Sequence, residues 1–130
     1  MCSSARWVAD RTTFLVSPGY PHRYPRRRQC VCSVVTERNQ RLLVRAAADS
    51  ALDWTPGCRA DVLAVYDGGA AEARTLLTHC GHLPLGLNVT SQSHAVLVAF
   101  RSDDRRQRSG FWLAVEGNDC RSPRCDRRYQ

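Results

Sequence analysis

Ser17-Pro18-Gly19-Tyr20-Pro21-His22-Arg23-Tyr24-Pro25, followed by Cys30, is the most informative stretch of this chain. The two Tyr-Pro steps exclude a helix, because each proline disfavours αR in the residue before it. Tyr20 and Tyr24 therefore stand on an extended or turn segment, with their rings available to pack on whatever lies beneath. On its own this is a rigid aromatic loop, and its meaning comes from its surroundings.

Those surroundings read as short strands. Thr13-Phe14-Leu15-Val16 leads into the loop, Cys30 to Thr36 is rich in Val and Cys, and Gln40 to Ala48 contains Leu42, Leu43 and Val44. Val62 to Tyr66 stops at Asp67-Gly68-Gly69, a strong turn signal, and His94 to Phe100 and Gly110 to Val115 complete the set. Short strands at this spacing predict an all-β sandwich or barrel. Arg45 to Ala48 and Ala70 to Arg74 contain good helix formers but are too short for independent helices. The first reads as a strand end and the second as a loop.

The 130 residues leave room for one domain with a core, and 43% apolar content suits a globular chain. The longest apolar run, Ala95 to Phe100, falls far short of the roughly 20 residues of a membrane helix. Seven dispersed cysteines point to an oxidising, extracellular setting, either secreted or the ectodomain of a membrane protein. Met1 to Arg6 has no apolar segment of the signal-peptide kind, which fits an excised domain. The odd cysteine count fits a fragment in the same way. The net charge of +7 is carried entirely by arginine, with no lysine. Arginine favours bidentate contacts to sulfate, phosphate and carboxylate, although a solvated surface gives the same count.

In this order, the residues resemble those of a CUB domain, the β-sandwich module of complement proteases, tolloid-type proteases and many receptors. The resemblance rests on the Ser17 to Pro25 stretch with Cys30, Cys58-Arg59-Ala60-Asp61-Val62-Leu63 and Tyr66-Asp67-Gly68. It continues through His79-Cys80-Gly81, Val98-Ala99-Phe100-Arg101-Ser102-Asp103 and Ser109-Gly110-Phe111. It implies a sandwich of two antiparallel sheets over residues 2–116, with 117–130 as an Arg-rich tail, a linker or the start of another cysteine-rich module. The family pattern pairs Cys58 with Cys80 and, second, Cys2 with Cys30. A Cys58–Cys80 bridge would tie adjacent strand ends, stabilising by about 3 kcal/mol on the chain-entropy model. Cys32 stands where the family usually carries tryptophan, either as a buried thiol or as a competitor of Cys30 for Cys2. Cys120 and Cys125 pair with each other or belong to a following module.

The resemblance also implies a calcium site at Asp53, Asp61 and Asp103, with Tyr24 in support. Calcium takes six to eight oxygen ligands, and clustered carboxylates supply them. Such sites present the acids to a lysine or arginine of an extracellular protein ligand. Two features depart from the pattern: Asp53 is one methylene shorter than the usual glutamate, and Arg106 stands where an asparagine ligand is common. Each aspartate can equally be a loop residue bonded to backbone amides.

Arg105, Arg106 and Arg108 form one basic cluster and Arg26, Arg27 and Arg28 another. If the fold brings them to one end, they make a surface for heparan sulfate or a similar glycosaminoglycan, with salt-sensitive binding. No base-reading motif points to specific nucleic-acid recognition. Asn88-Val89-Thr90 is an N-glycosylation acceptor sequence in a loop-like context. His79-Cys80-Gly81-His82 lacks a second cysteine pair at zinc spacing. Trp7, Trp54 and Trp112 read as packing residues. No nucleophile-and-base motif is present, so the domain reads as non-catalytic, with no catalytic residues. The expectation is a protein-binding module, possible alternatives being a glycosaminoglycan-binding module and a regulatory fragment of a secreted protease.

Overall fold

The computed structural model describes residues 5–8, 12–37, 40–68 and 74–119. Cys2, Cys120, Cys125, the 69–73 segment and the tail beyond 119 lie outside the described residues, as do the expectations placed on them. Among the described residues there are eleven strands and one short 3-10 turn, Pro56–Cys58. The strands are β1 (Ala5–Val8), β2 (Thr13–Val16), β3 (Gln29–Val35), β4 (Gln40–Ala46), β5 (Ser50–Ala51) and β6 (Val62–Asp67). They continue with β7 (Arg74–His79), β8 (His82–Leu83), β9 (Asn88–Thr90), β10 (Ala95–Arg101) and β11 (Trp112–Asp119).

Two main sheets form the sandwich, one ordered β1-β3-β10-β6-β7 and the other β2-β11-β4-β9, while β5 and β8 make a small ribbon. Every pairing is antiparallel except β1 on β3, which runs parallel with Ala5 beside Cys32. The alternation in the sequence decides which side chains face inward. In β3, Cys30, Cys32 and Val34 are buried while Val31, Ser33 and Val35 are half-covered, and in β4 Leu42, Val44 and Ala46 alternate the same way. Val96, Val98 and Phe100 of β10 meet Leu113 and Val115 of β11 in the same core. β11 runs past Glu116, because Gly117, Asn118 and Asp119 stay in register with Leu42, Arg41 and Gln40.

Cys58 and Cys80 form a disulfide. Cys30 is also disulfide-bonded, and Cys32 is a buried thiol in the core.

The Ser17 to Pro25 loop folds over one end of the sandwich and is anchored there. Tyr24 is 1% exposed, with its ring edge-on to Phe100 at 5.0 Å, and Phe100 meets Phe111 at 5.3 Å. Tyr20 packs instead against Trp112 on the outer face of the second sheet, at 6.1 Å. Gly110 lets the loop approach. It has a φ of +94°, and a Cβ there would lie 1.8 Å from the Ser17 hydroxyl oxygen. That oxygen accepts the Phe111 N–H at 3.0 Å.

Candidate functional site

Three loops converge at the end of the sandwich capped by Tyr24. The first is 17–28, the second runs from Asp53 to Asp61 through the disulfide, and the third is 102–110. Backbone bonds stitch the first and third: Tyr24 N–H to the Arg108 carbonyl at 3.1 Å, Arg27 N–H to the Asp103 carbonyl at 2.9 Å, and Ser102 N–H to the Arg28 carbonyl at 2.9 Å. The Ser102 hydroxyl adds a bond to the Pro25 carbonyl at 2.8 Å and accepts the Arg28 N–H at 3.0 Å.

Asp61 lies at the centre, 0% exposed. One carboxylate oxygen accepts the Tyr24 hydroxyl and the other accepts the Asp103 N–H at 2.8 Å. The Tyr24 oxygen in turn accepts the Asp53 N–H at 3.0 Å. Tyr24 thus links Asp53 to Asp61, and Asp61 links to Asp103, so a chain of hydrogen bonds joins the three expected acids. Burial pushes the Asp61 carboxyl above the usual carboxylate range, and the Asp103 charge adds to it, against the pull of the Tyr24 hydroxyl and the Asp103 N–H. Burial also raises the Tyr24 phenol far above its ordinary value, and the bond to Asp61 reinforces this. The phenol therefore keeps its proton and donates it to Asp61.

The three carboxylates do not yet converge as a ligand set. Asp103 turns one oxygen back to the Arg105 N–H at 2.9 Å. Among the described residues no group of three His, Cys, Asp or Glu side chains is arranged to hold a metal ion. Beside Asp103 lies an open depression of ≈ 610 Å³ lined also by Thr55, Pro56, Gly57, Arg59 and Ala60.

The stitching also brings both arginine clusters to this end. Arg26, Arg27 and Arg28 are exposed, and Arg27 pairs with Asp104 at 3.4 Å. Arg106, with a φ of +43°, lines a hollow of ≈ 260 Å³ with Arg23, Gln107 and Arg108. Arg105 is exposed on the same loop. Arg23 and Gln107 were not singled out in the sequence, because their place in this hollow depends on a contact between loops far apart in the chain.

Other expectations need correcting. Trp54 is not a packing residue: it is 65% exposed, because its neighbours Leu52 and Asp53 take the buried positions and leave the ring over Gly81. Asn88 opens strand β9 instead of lying in a loop. It is exposed, beside Arg45 in the register, with its carboxamide bonded to the Gly86 carbonyl at 2.9 Å. His79 Nε2 meets the His82 carbonyl oxygen at 2.6 Å and Cys80 is in the disulfide, so this tetrapeptide serves local structure. Among the described residues no helix is long and apolar enough to cross a membrane.

A disulfide-tied sandwich whose polar and charged loops gather at one end belongs to the class of β-sandwich recognition modules. The sequence profile of the CUB domain matches residues 2–114. The chain belongs to the CUB domain family, a non-catalytic protein-interaction module of extracellular proteins that is also found within proteases.

Among curated relatives, Neuropilin-2 of Rattus norvegicus is 31% identical over 104 residues, covering 79% of this chain and 11% of its own. Zinc metalloproteinase nas-39 of Caenorhabditis elegans is 33% identical over 95 residues, covering 73% and 10%. Cubilin of Rattus norvegicus is 34% identical over 113 residues, covering 85% and 3%. The chain thus spans at most 11% of the length of these relatives.

Solved structures share the fold. The MASP-1 CUB2 domain bound to Ca2+ superposes with a TM-score of 0.75 at 23% identity, over 88% of this chain and 99% of that one. The CUB1-EGF-CUB2 domains of rat MASP-1 give 0.78 at 20% identity, over 92% and 45%.

Proposed function

We propose that this chain binds an extracellular protein in a calcium-dependent manner, through Asp53, Asp61 and Asp103. The observation that carries the reading is the burial of Asp61. A carboxylate removed from water is costly unless a cation or several donors compensate. Among the described residues the stabilising donors are a neutral hydroxyl and one N–H, and the carboxyl is left with raised proton affinity. A divalent cation would supply the missing positive charge, and the remaining lone pairs of Asp61 can receive it.

The residues supply the oxygen donors such an ion takes, although their carboxylates do not converge among the described residues. Asp61 would anchor it, and Asp103 would join by releasing its turn to Arg105. Asp53 would complete the acidic set, while Tyr24 holds Asp61 in orientation. Calcium would neutralise the acids while leaving room for a basic side chain of the partner in the depression beside Asp103. Arg106 lines the other hollow with Arg23, Gln107 and Arg108, and is not among the residues that line the depression beside Asp103. The solved MASP-1 CUB2 domain, which shares the fold, is bound to Ca2+ and supports the same reading.

The test is a calorimetric calcium titration of the oxidised chain beside Asp61→Ala and Asp61→Asn, with melting temperatures alongside. Saturable binding in the range of about 10⁻⁴ to 10⁻³ M, typical of extracellular modules, is expected for the wild type and absent from both variants. Absence of heat and of any melting shift at millimolar calcium would sink the reading.

A further inference from the structure

The loop end carries a second feature, which the acidic cluster does not use. The hollow of ≈ 260 Å³ is lined by Arg23, Arg106, Gln107 and Arg108. None of its three guanidiniums forms an ion pair among the described residues, whereas neighbouring Arg27 is paired with Asp104. The Gln107 Nε2 is buried and lacks a hydrogen-bond partner among the described residues. A buried amide donor left without an acceptor is unfavourable, and native folds rarely keep one without a reason. Arg106 holds a left-handed backbone at a φ of +43°, a conformation that costs a non-glycine residue energy and that gathers at ligand sites. The walls are fixed in advance by the Tyr24 N–H bond to the Arg108 carbonyl at 3.1 Å and the Gly110 N–H bond to the Ala51 carbonyl at 2.9 Å.

Unopposed positive charge and an unanswered donor around one hollow call for an oxyanion. We propose that Arg23, Arg106, Arg108 and the Gln107 carboxamide form an anion subsite that takes a sulfate group of a sulfated glycan. Guanidinium forks match the paired oxygens of such a group, and the carboxamide N–H adds a directional contact that bulk charge does not provide. The exposed Arg26 and Arg28 lie on the loop stitched to 102–103, so positive charge continues beyond the hollow. That extension suits a polymer with repeated charges better than a single small anion. No aromatic ring lines the hollow, and single-stranded nucleic acid would want one as a stacking platform. The subsite needs no metal, so it works with calcium removed.

The experiment is binding of the full chain to immobilised heparin in a chelating buffer, over a range of salt. The wild type should bind, and Arg23→Gln and Arg108→Gln should each weaken binding about tenfold, the loss of one charge-assisted contact. Each should also reduce the slope of log affinity against log salt by about one. Gln107→Leu, which leaves the net charge unchanged, should weaken binding severalfold. Arg27→Gln removes the same charge from a guanidinium already paired at the surface and should cost less than about twofold. Equal losses from Arg27→Gln and Arg23→Gln would mean a diffuse basic surface and overturn the subsite. Displacement by polyphosphate or single-stranded DNA at lower charge concentration than by soluble heparin would overturn the sulfate assignment. Failure of the wild type to bind heparin would overturn both. Arg23 and Arg108 are exposed, so melting temperatures of their variants should match the wild type and their binding losses can be read directly.

Discussion

Asp61 and Asp67 are both largely buried carboxylates on or beside β6, yet they respond to their surroundings in opposite directions. At Asp67 burial pushes the carboxyl up, but the Ser93 hydroxyl, the N–H groups of Gln92 and Ser93, and Arg74 together bring it below the usual range. At Asp61 burial prevails and the carboxyl stays raised. A carboxyl raised on folding contributes stability that is fully present below its unfolded pKa and is lost as pH rises through its folded pKa. A lowered one contributes stability above its unfolded pKa and loses it as pH falls through the folded value. Without metal, Asp61→Asn should therefore be favoured relative to the wild type near neutral pH. That advantage should narrow on acidification toward the ordinary carboxylate range, as measured by urea midpoints. A gap that stayed constant would show that the Asp61 carboxyl is not raised. The same residues show how far the sequence can be read. Asp53, Asp61 and Asp103 drew attention only through the resemblance to the CUB domain, whose pattern carries acids at these positions. Arg23, Gln107 and the outward turn of Trp54 were not legible, because each depends on contacts across loops that no spacing encodes.

The Cys58–Cys80 disulfide closes the segment carrying β6 and β7, across a separation of 22 residues. One end lies in the short turn after Asp53, and the other lies between β7 and β8. Removing it by a Cys58→Ser, Cys80→Ser double change should cost about 3 kcal/mol, read from the shift in denaturation midpoint. The acidic site should weaken as well, because Asp61 follows this turn directly. The long strands were legible from alternation, as in Cys30 to Thr36, where each inward residue is separated by a half-covered one. β1, β5, β8 and β9 were not recognised, and β7 was not read from its own pattern, which does not alternate cleanly. The other four are two to four residues long, and their pairing comes from the neighbouring strand rather than from their own pattern.

Across the whole molecule, Phe100 joins the core to the site. It lies at the end of β10, in register with Cys30 and Leu63, and its ring stands between those of Tyr24 and Phe111. Phe100→Ala should cost about 3–5 kcal/mol of stability by leaving a cavity. At temperatures where the variant remains folded, it should also reduce calcium affinity, because Tyr24 loses the wall that sets its hydroxyl against Asp61. A variant with normal calcium affinity would mean that the backbone stitching alone positions Tyr24. Turn signals and strand spacing alone left both a sandwich and a barrel open, and the two antiparallel sheets followed from the resemblance to the CUB domain.

The place of β11, between β2 and β4, governs how the chain can come into being. During synthesis β2 is made early, but its only partner among the described strands arrives with Trp112 to Val115, after almost all of the domain. Until then β2 and one side of β4 carry unanswered amides and carbonyls, and a ribosome releasing the chain slowly prolongs that exposure. Such late closure between distant segments makes folding slow and leaves the half-made sheet open to pairing with its neighbours. Strand order alone thus sets a late closing step, at which a neighbouring chain can compete for the open edge.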